Sequence, residues 1–273
     1  MTAPLSTPAR RAVAVATISL DGFGDEDFEY AFQLIPRLGI RRVELNCWYG
    51  RNLTPAGIES IRARCVERHL LPVSLHLPGF SSASNADHAR EVARWLWVLE
   101  AAGRLGIGLV KATGSARDTA GGLDGVIAVL REIEPAAADR GITIALENHV
   151  NNVLELPEDY RRIFEEVPPK MIGMCLDTGH FAASGVDIVA VVDEFADRIV
   201  HVDLKDCASS AGREDFVGFG EGVVDFDAIL GRLVEHDYSG LLLVEFPRRS
   251  LDTVIDDLTV GARIARRYTT EDD

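Results

Sequence analysis

Basic residues are few in this sequence. It has 28 lysines and arginines against 43 aspartates and glutamates, which gives a formal net charge of -15 over 273 residues. Because binding to nucleic acid or to an anionic membrane needs a positive surface, this deficit argues against both partners. An acidic excess of this kind is typical of solvated helix faces that keep a protein soluble.

Paired cysteines and long apolar runs are also lacking. The four cysteines, Cys47, Cys65, Cys175 and Cys207, form no CxxC pair. Their scatter argues against a disulfide framework and a zinc knuckle, and is typical of reduced thiols. No apolar run approaches the roughly 20 residues of a membrane span, and the first residues, MTAPLSTPARR, lack a signal peptide's apolar segment. We therefore expect a cytoplasmic protein without membrane attachment.

The chain instead has enough apolar residues for a large core, arranged in an alternating pattern. Hydrophobic residues make up 47% of the sequence, and short strand-like runs alternate with longer amphipathic helical stretches from end to end. One helix start is marked by Thr54 as a cap before Pro55. The strands are predicted at 12–17, 41–46, 71–76, 108–113, 143–148, 172–177, 199–204 and 240–246.

Eight strands alternating with eight helices predict a parallel sheet covered by helices. At 273 residues, a closed (β/α)₈ TIM barrel is the natural solution, and a doubly wound open sheet is the structural alternative. We expect one domain over 1–273, with frayed tails at 1–10 and 269–273.

Polar residues stand at the ends of most predicted strands, where a parallel barrel opens onto its catalytic face. In "HVDLKD", His201, Asp203 and Lys205 alternate, so they share one face of a strand. Such a face either meets water or builds a site. The strand-end residues in chain order are Glu44, His76, Lys111, Glu147, Asp177, His201, Asp203 and Glu245.

The last four strands bring four carboxylates toward one place. Glu147, Asp177, Asp203 and Glu245 would repel one another strongly in a partly desolvated barrel mouth. Unless several are protonated, a positive group must lie among them, and a divalent cation is the economical answer. Oxygen ligands favour Mn²⁺ or Mg²⁺, and Co²⁺ is also compatible.

Several of these residues have a second interpretation. Asp177 can cap the following helix instead of binding an ion. Glu44 and His76 either line the pocket or pair with each other, and Lys111 is a weaker candidate for the pocket. His149 shares the face of Glu147 only if the strand continues that far.

Two further stretches near the predicted site also have open interpretations. His180 in "DTGH" either points inward or packs. The stretch "GFGEGVVDF" spells GxGxG instead of a dinucleotide fingerprint, and it more simply shapes the turn after the seventh strand. Surface placement and recognition of a phosphate or carboxylate are both open for Lys205, Arg213, Arg248 and Arg249.

Several motifs together resemble the xylose-isomerase-like superfamily of TIM barrels. They are "ALENH", "CLDTGH", "HVDLKD" followed by "GFGEGVVDF", and "LLVEFP". The resemblance covers essentially the whole chain, most clearly residues 140–247. The superfamily includes ketose 3-epimerases, hydroxypyruvate isomerase, inosose dehydratase, 3-dehydroshikimate dehydratase and endonuclease IV, so the motifs do not select one activity.

The resemblance implies roles for individual residues. It implies a metal bound by Glu147, Asp177, the residue at 203 and Glu245, with the two glutamates also acting as acid and base. Many relatives have HxH on the seventh strand, whereas here the second position is Asp203. Either the ligands are all carboxylates, or His201 or a water molecule replaces the missing histidine.

Substrate contacts are implied as well. The resemblance implies substrate binding by His180 and by an arginine after the seventh strand, for which Arg213 is the candidate. We count His149, His76, Glu44, His201 and Lys111 as further residues lining the pocket. The resemblance also allows a homo-oligomer.

Endonuclease IV is the member that the residues argue against. Glu214 stands where it has a histidine, Gly212 where it has an aspartate, and "KATG" where its fourth strand has a histidine. The leading expectation is therefore a metal-dependent isomerase or epimerase of a small sugar or keto sugar, acting through an enediolate. One alternative is a lyase that expels a β-hydroxyl or the aglycone of a 3-keto-glycoside, with His149 or His180 as the acid. Another is a barrel that only binds a sugar or a partner protein.

Overall fold

The structure is a computed structural model that describes residues 11–21, 27–81, 85–167, 170–210, 213–246 and 253–270. Eight parallel strands close into a barrel in the order β1-β2-β3-β4-β5-β6-β7-β10, as predicted. Their bounds are β1 Ala12–Ala16, β2 Arg42–Asn46, β3 Leu71–Leu77, β4 Leu109–Ala112, β5 Thr143–Glu147, β6 Ile172–Asp177, β7 Ile199–Leu204 and β10 Leu241–Val244. A short antiparallel ribbon, β8 Asp206–Cys207 with β9 Phe216–Val217, lies outside the barrel.

Helices follow the barrel strands, as the amphipathic pattern predicts. Their bounds are α1 Ile18–Asp21, α2 Glu29–Leu34, α3 Pro55–Glu67, α4 Asn85–Leu105, α5 Gly122–Arg140, α6 Pro157–Glu166, α7 Thr178–Ala183, α8 Ile188–Phe195, α9 Phe226–Glu235 and α10 Val254–Arg266. The short helices α1 and α7 were not predicted, since neither is long enough to show a helical period. Thr54 caps α3 as expected, because its Oγ1 accepts a hydrogen bond from the Gly57 amide at 3.1 Å.

The structure differs from the sequence pattern at one helical stretch and at part of the predicted frayed tails. The amphipathic stretch that follows β1 is divided, because α2 ends at Leu34 and a 3₁₀ turn follows at Ile35–Leu38. Pro36 lies in the first turn of this segment and has no amide hydrogen to donate. Of the predicted frayed tails, 1–10 and 271–273 lie outside the described residues, whereas the Thr270 amide donates to the Arg11 carbonyl at 3.0 Å.

The core has two parts, which the alternation of strand side chains separates. Val13 and Val15 belong to the large core between sheet and helices, whereas Ala14, Ala16 and Leu243 form a small separate cluster. Because successive side chains point to opposite faces, Glu245 shares the face of Leu243. The apolar filling inside the barrel is therefore shallow, and charged residues lie on the same face. Among the described residues, no helix combines the length and apolar character that a membrane span needs.

Candidate active site

Charged side chains fill the barrel toward the carboxyl ends of its strands. Strand register places them side by side, with His76 opposite Lys111, and Asp203 opposite both Asp177 and Leu243. Ten titratable residues of this set are buried, namely Glu44, His76, Lys111, Glu147, Asp177, His180, His201, Asp203, Lys205 and Glu245. The sequence-predicted residues at the strand ends are thus brought together.

Lys111 lies among the carboxylates, although the sequence made it only a weak candidate for the pocket. Its Nζ is 2.9 Å from Glu44 Oε1, 3.2 Å from Glu245 Oε2 and 3.8 Å from Glu147 Oε2. It also donates a short hydrogen bond to Asp203. Burial alone would lower the pKa of Lys111, but these four carboxylates raise it well above its usual value, so the side chain is an ammonium ion.

Lys205 is a second cation in the cluster. Its Nζ lies 2.6 Å from Glu245 Oε1 and 2.9 Å from Asp177 Oδ2, and 5.0 Å from the centre of the Phe216 ring. Gly179 makes room for this side chain, because a Cβ there would come within 2.8 Å of Lys205 Cγ. The surface placement that the sequence left open for Lys205 is therefore wrong.

Glu44, His76 and His201 lie around Lys111, on β2, β3 and β7 respectively. Glu44 accepts a hydrogen bond from Ser74 at 2.7 Å, and His76 Nδ1 lies 3.7 Å from Glu44 Oε1. Burial opposes ionisation of Glu44, but Lys111 and His201 outweigh it and lower its pKa to about 2. His76 pairs with Glu44 and also reaches the pocket, because its Nε2 is 3.2 Å from Glu147 Oε2.

The two histidines carry different charges. Burial and the nearby Lys111 lower the pKa of His76 to about 4, so it is neutral at neutral pH. Burial also disfavours the charge on His201, but the carboxylates of Asp203 and Glu44 beside its ring outweigh this effect and raise its pKa to about 9. Its Nε2 lies 3.2 Å from Asp203 Oδ1 and 3.5 Å from Glu44 Oε2.

Glu147 and Glu245 have opposite electrostatic surroundings. Burial raises the pKa of Glu147 well above its usual value, and Lys111 offsets this only in part. Burial acts on Glu245 in the same direction, but Lys205 and Lys111 outweigh it and hold the pKa of Glu245 well below its usual value. The arrangement therefore makes Glu147 the more readily protonated of the two glutamates and favours the ionised form of Glu245.

Asp177 has both of the roles that the sequence left open. Its Oδ1 accepts a hydrogen bond from the His180 amide at 2.8 Å and so caps α7, whereas its Oδ2 faces Lys205. Burial raises the pKa of Asp177 to about 6, against the opposing effect of Lys205.

His149 and His180 form a stacked pair above the carboxylates, with ring centroids 3.8 Å apart. β5 ends at Glu147, so His149 belongs to the following loop, where its Nδ1 lies 2.9 Å from the Val150 carbonyl oxygen. Burial lowers the pKa of both imidazoles, so both are neutral at neutral pH. Glu214 approaches this pair, with its Oε1 3.8 Å from His149 Nε2.

The loop after the seventh strand is organised by Asp206. Its carboxylate accepts hydrogen bonds from the amides of Gly220 at 2.8 Å, Gly222 at 3.1 Å and Val224 at 3.2 Å. A Cβ on Gly222 would overlap the Asp206 carboxylate, so glycine is required for this close approach. The glycine run shapes the turn as predicted, around a residue that the sequence analysis did not single out.

The three arginines singled out in the sequence are not among the buried residues of the cluster that the structure describes. Arg213 is exposed. Its role in substrate binding stays a prediction, whereas the neighbouring Glu214 approaches His149. Arg248 and Arg249 lie outside the described residues.

Groups that can hold a divalent metal are present within the cluster. Glu147, Asp203 and Glu245 each offer an oxygen within 4.8 Å of the others, and Glu147, Asp177 and His180 form a second such group. Four carboxylate oxygens of the cluster are buried without a partner in hydrogen-bond geometry: Glu44 Oε1, Glu147 Oε2, Asp177 Oδ2 and Asp203 Oδ1. The donor chemistry thus fits a divalent ion.

The space among these oxygens does not fit such an ion while the lysines hold their positions. Lys111 contacts all three carboxylates of the first group, and Lys205 lies between Asp177 and Glu245. The predicted convergence of the carboxylates is therefore present, but their charge is already offset in part by two lysines of the chain. A divalent ion would have to displace at least one ammonium group.

The cluster has an enclosed part and a part nearer the barrel mouth. Lys111, Glu44 and Asp203 are fully buried, whereas Glu245 and Lys205 keep 5% and 4% exposure. His149 is only half-buried. A substrate that enters from the mouth would therefore meet Glu245, Lys205 and the histidine pair before it met Lys111.

Sequence reasoning left the placement of Lys205 open and missed Glu214. The alternation in "HVDLKD" already placed Lys205 on the face of His201 and Asp203, so a signal for it existed. Glu214 carried no such signal, because it lies in the loop between the two ribbon strands and approaches a histidine of the distant β5–α6 loop, His149.

The closed parallel sheet with helices around it is a (β/α)₈ TIM barrel, and the buried charged cluster lies at the carboxyl ends of its strands, the face where active sites of this fold are found. The sequence model of the xylose isomerase-like TIM barrel family matches residues 32–268. The chain belongs to that family.

Individual relatives agree with this assignment. Inosose dehydratase of Lactiplantibacillus plantarum is 30% identical over 147 residues, which are 48% of each chain. The rhizopine catabolism protein MocC of Rhizobium meliloti is 34% identical over 131 residues, 42% of this chain and 40% of MocC. These matches span about half the length of the curated relatives.

A solved structure shows the shared fold. The crystal structure of the IOLI protein with a bound zinc atom has a TM-score of 0.80 and 19% identity, over 95% of this chain and 99% of the other. At that identity the likeness concerns the fold alone.

Proposed function

We propose that this chain is a dehydratase of a small ketone that carries several hydroxyl groups, such as a keto-cyclitol. The reaction removes a proton from the carbon next to the carbonyl group and expels the β-hydroxyl as water. This choice places the lyase alternative ahead of the isomerase that the sequence analysis favoured. Both belong to the same class of chemistry, because each begins with proton removal next to a carbonyl group.

The observation that carries the proposal is the unequal environment of two glutamates. Glu245 is contacted by two ammonium groups, Lys205 Nζ at 2.6 Å and Lys111 Nζ at 3.2 Å. Glu147 has Lys111 only at 3.8 Å and faces the neutral ring of His76 at 3.2 Å. An acid and a base that must act together need opposite protonation states, and this geometry favours them.

Glu245 is the base in the proposed reaction. Its carboxylate takes the proton from carbon, and the electron pair of the broken C–H bond forms the enolate. Lys205, which donates to the same carboxylate, is placed to stabilise negative charge that develops on the carbonyl oxygen. The histidine pair, His149 and His180, is placed to hold hydroxyl groups of the substrate.

Glu147 is the acid. When the enolate oxygen re-forms the carbonyl group, the electron pair of the enolate double bond moves to form a double bond between the α and β carbons. The β C–O bond breaks and Glu147 gives its proton to the departing hydroxyl, so that water leaves. The proton on Glu245 then returns to solvent and Glu147 is reprotonated, which restores the starting state. The reaction is an elimination of water without net oxidation or reduction, so it requires no oxidant.

The relatives support the choice of a dehydratase. Several of the curated relatives are inosose dehydratases, with 26–30% identity over about half of this chain. Their substrate, as named, is an inosose, which is a ketone of a cyclitol. Because these matches span only part of each protein, the substrate class stays a proposal for this chain.

The test is a panel of an inosose and a ketose incubated with the enzyme in D₂O. Loss of water by mass spectrometry, with an ultraviolet-absorbing unsaturated ketone as product, is the expected result for the inosose. Isomeric products that keep every oxygen, with deuterium incorporated at carbon, would instead support the isomerase or epimerase. Binding without water loss or exchange on any substrate of the panel would contradict both and support a binding barrel.

A further inference from the structure

Lysine is rare in this chain, and it is concentrated at the site. The sequence contains three lysines, Lys111, Lys170 and Lys205, and the other 25 of its 28 basic residues are arginines. Lys170 is exposed, whereas Lys111 and Lys205 are buried within the carboxylate cluster. Two compact ammonium groups thus lie where the acidic side chains converge, whereas most of the other basic residues of the chain are arginines.

Lys111 contacts every member of the first group of carboxylates that can hold a metal. Its Nζ is hydrogen-bonded to Asp203 and to Glu245, and lies 3.8 Å from Glu147. A divalent ion such as Mg²⁺ binds carboxylate oxygens at about 2.0–2.1 Å. An ion bound to these three oxygens would therefore lie within a few ångströms of the ammonium nitrogen, where the like charges repel strongly.

The ammonium group of Lys111 cannot easily move out of the carboxylate cluster. It lies in the middle of β4, in register with His76 on one neighbouring strand and with Ala145 on the other. Its side chain is 0% exposed, so the ammonium group has no direct path to solvent. Removing it from these carboxylates would leave a charge buried and unpaired, which is costly.

We propose that the Lys111 ammonium group occupies the cation position of this site, so that the wild-type protein does not bind a divalent ion among Glu147, Asp203 and Glu245. The chain then carries a built-in cation where the family resemblance predicts a metal. This inference concerns what the site binds and does not depend on the proposed dehydration, so the two can fail separately.

The experiment measures bound metal directly. Wild-type protein is incubated with excess Mn²⁺ or, separately, Zn²⁺, desalted, and analysed for metal content and melting temperature. We expect far less than one ion per chain and no change in melting temperature. About one ion per wild-type chain, with a raised melting temperature, would overturn the proposal.

Two variants identify Lys111 as the cause. Lys111→Met keeps an unbranched side chain but removes the charge, and is expected to take up about one Mn²⁺ per chain and to melt at a higher temperature with Mn²⁺ than without it. Lys170→Met is the matched control and should behave as wild type. A folded Lys111→Met protein that still binds no metal would also overturn the proposal, because something other than Lys111 would then exclude the ion.

A double variant tests the same proposal if Lys111→Met does not fold. If Lys111→Met does not fold, Lys111→Met with Glu44→Gln removes one charge of each sign from a pair 2.9 Å apart and leaves the three carboxylates in place. Uptake of about one Mn²⁺ by this double variant, against none by Glu44→Gln alone, supports the proposal. Equal uptake by both proteins contradicts it.

Discussion

Lys205 Nζ lies 2.6 Å from Glu245 Oε1, and both side chains are buried at the carboxyl ends of neighbouring strands. The sequence analysis left the role of Lys205 open. In the structure Lys205 pairs with Glu245, the glutamate that we propose as the base. Lys205 also contacts Asp177 at 2.9 Å, so its ammonium group stabilises the ionised forms of both Asp177 and Glu245. The first prediction follows from this arrangement.

Lys205→Met should weaken both stability and activity. Removing one partner of a buried ion pair costs about 3–5 kcal/mol, since the other partner stays buried without compensation. The pKa of Glu245 should rise, because Lys205 is the strongest influence that lowers it. The acidic limb of the kcat/KM profile should therefore move to higher pH, and urea unfolding should measure the loss in stability.

Lys170→Met controls for the loss of a lysine as such, because Lys170 is exposed and far along the chain from Lys205. A Lys205→Met enzyme with an unshifted acidic limb would show that Lys205 does not govern Glu245.

His201 should make stability depend on pH in a defined window. Its pKa in the folded protein is about 9, against an ordinary value of 6.5, because Asp203 and Glu44 outweigh the effect of burial. A raised histidine pKa adds stability in full below pH 6.5 and loses it as the pH rises through 9. The difference in free energy of unfolding between wild type and His201→Gln should therefore be largest at the acidic end and shrink across this window.

Glu44→Gln tests the cause of the His201 shift. It removes the charge of one of the two carboxylates beside the His201 ring, so the pKa of His201 should fall. The pH range over which His201 adds stability should then end at a lower pH. A pH-independent difference between wild type and His201→Gln would show that His201 does not carry a proton in this cluster.

Gly222 and Gly231 should respond in opposite ways to alanine. A Cβ on Gly222 would overlap the Asp206 carboxylate and the Cys207 carbonyl oxygen, whereas a Cβ on Gly231 in α9 meets no atom within 4 Å. Gly222→Ala should destabilise by about 1–3 kcal/mol through overpacking. Gly231→Ala should stabilise by about 0.5–1 kcal/mol, because glycine is unfavourable inside a helix. Thermal unfolding of both variants checks the contrast, and similar effects of the two substitutions would contradict it.

The fold was predictable because its signals are local and repeated. Runs such as Ile172–Asp177 are apolar and short, and each is followed by an amphipathic stretch, so the barrel and its strand bounds follow from the pattern. The short helix Thr178–Ala183 was missed because all of its residues are buried and it completes less than two turns.

The site was predictable in its members but not in its charge balance. Glu147, Asp177, Asp203 and Glu245 were identified because strand ends meet at one face of a barrel. The contacts of Lys111 and Lys205 depend on long side chains reaching across the barrel from β4 and from the end of β7, over 92 and 40 residues of sequence respectively. The spacing of residues along the chain does not show which long side chains contact one another across the barrel. The sequence therefore suggested a metal ion where the structure has two lysines.

The central claim is that Glu245 removes a proton from carbon and Glu147 delivers one to the leaving hydroxyl. The most direct measurement follows deuterium incorporation from D₂O and water loss for an inosose with wild type, Glu245→Gln and Glu147→Gln. Loss of Glu245 should reduce both processes by about 10²–10⁴-fold, whereas loss of Glu147 should reduce water loss by a similar factor and leave exchange largely intact. Exchange at the wild-type rate in Glu245→Gln would contradict the account.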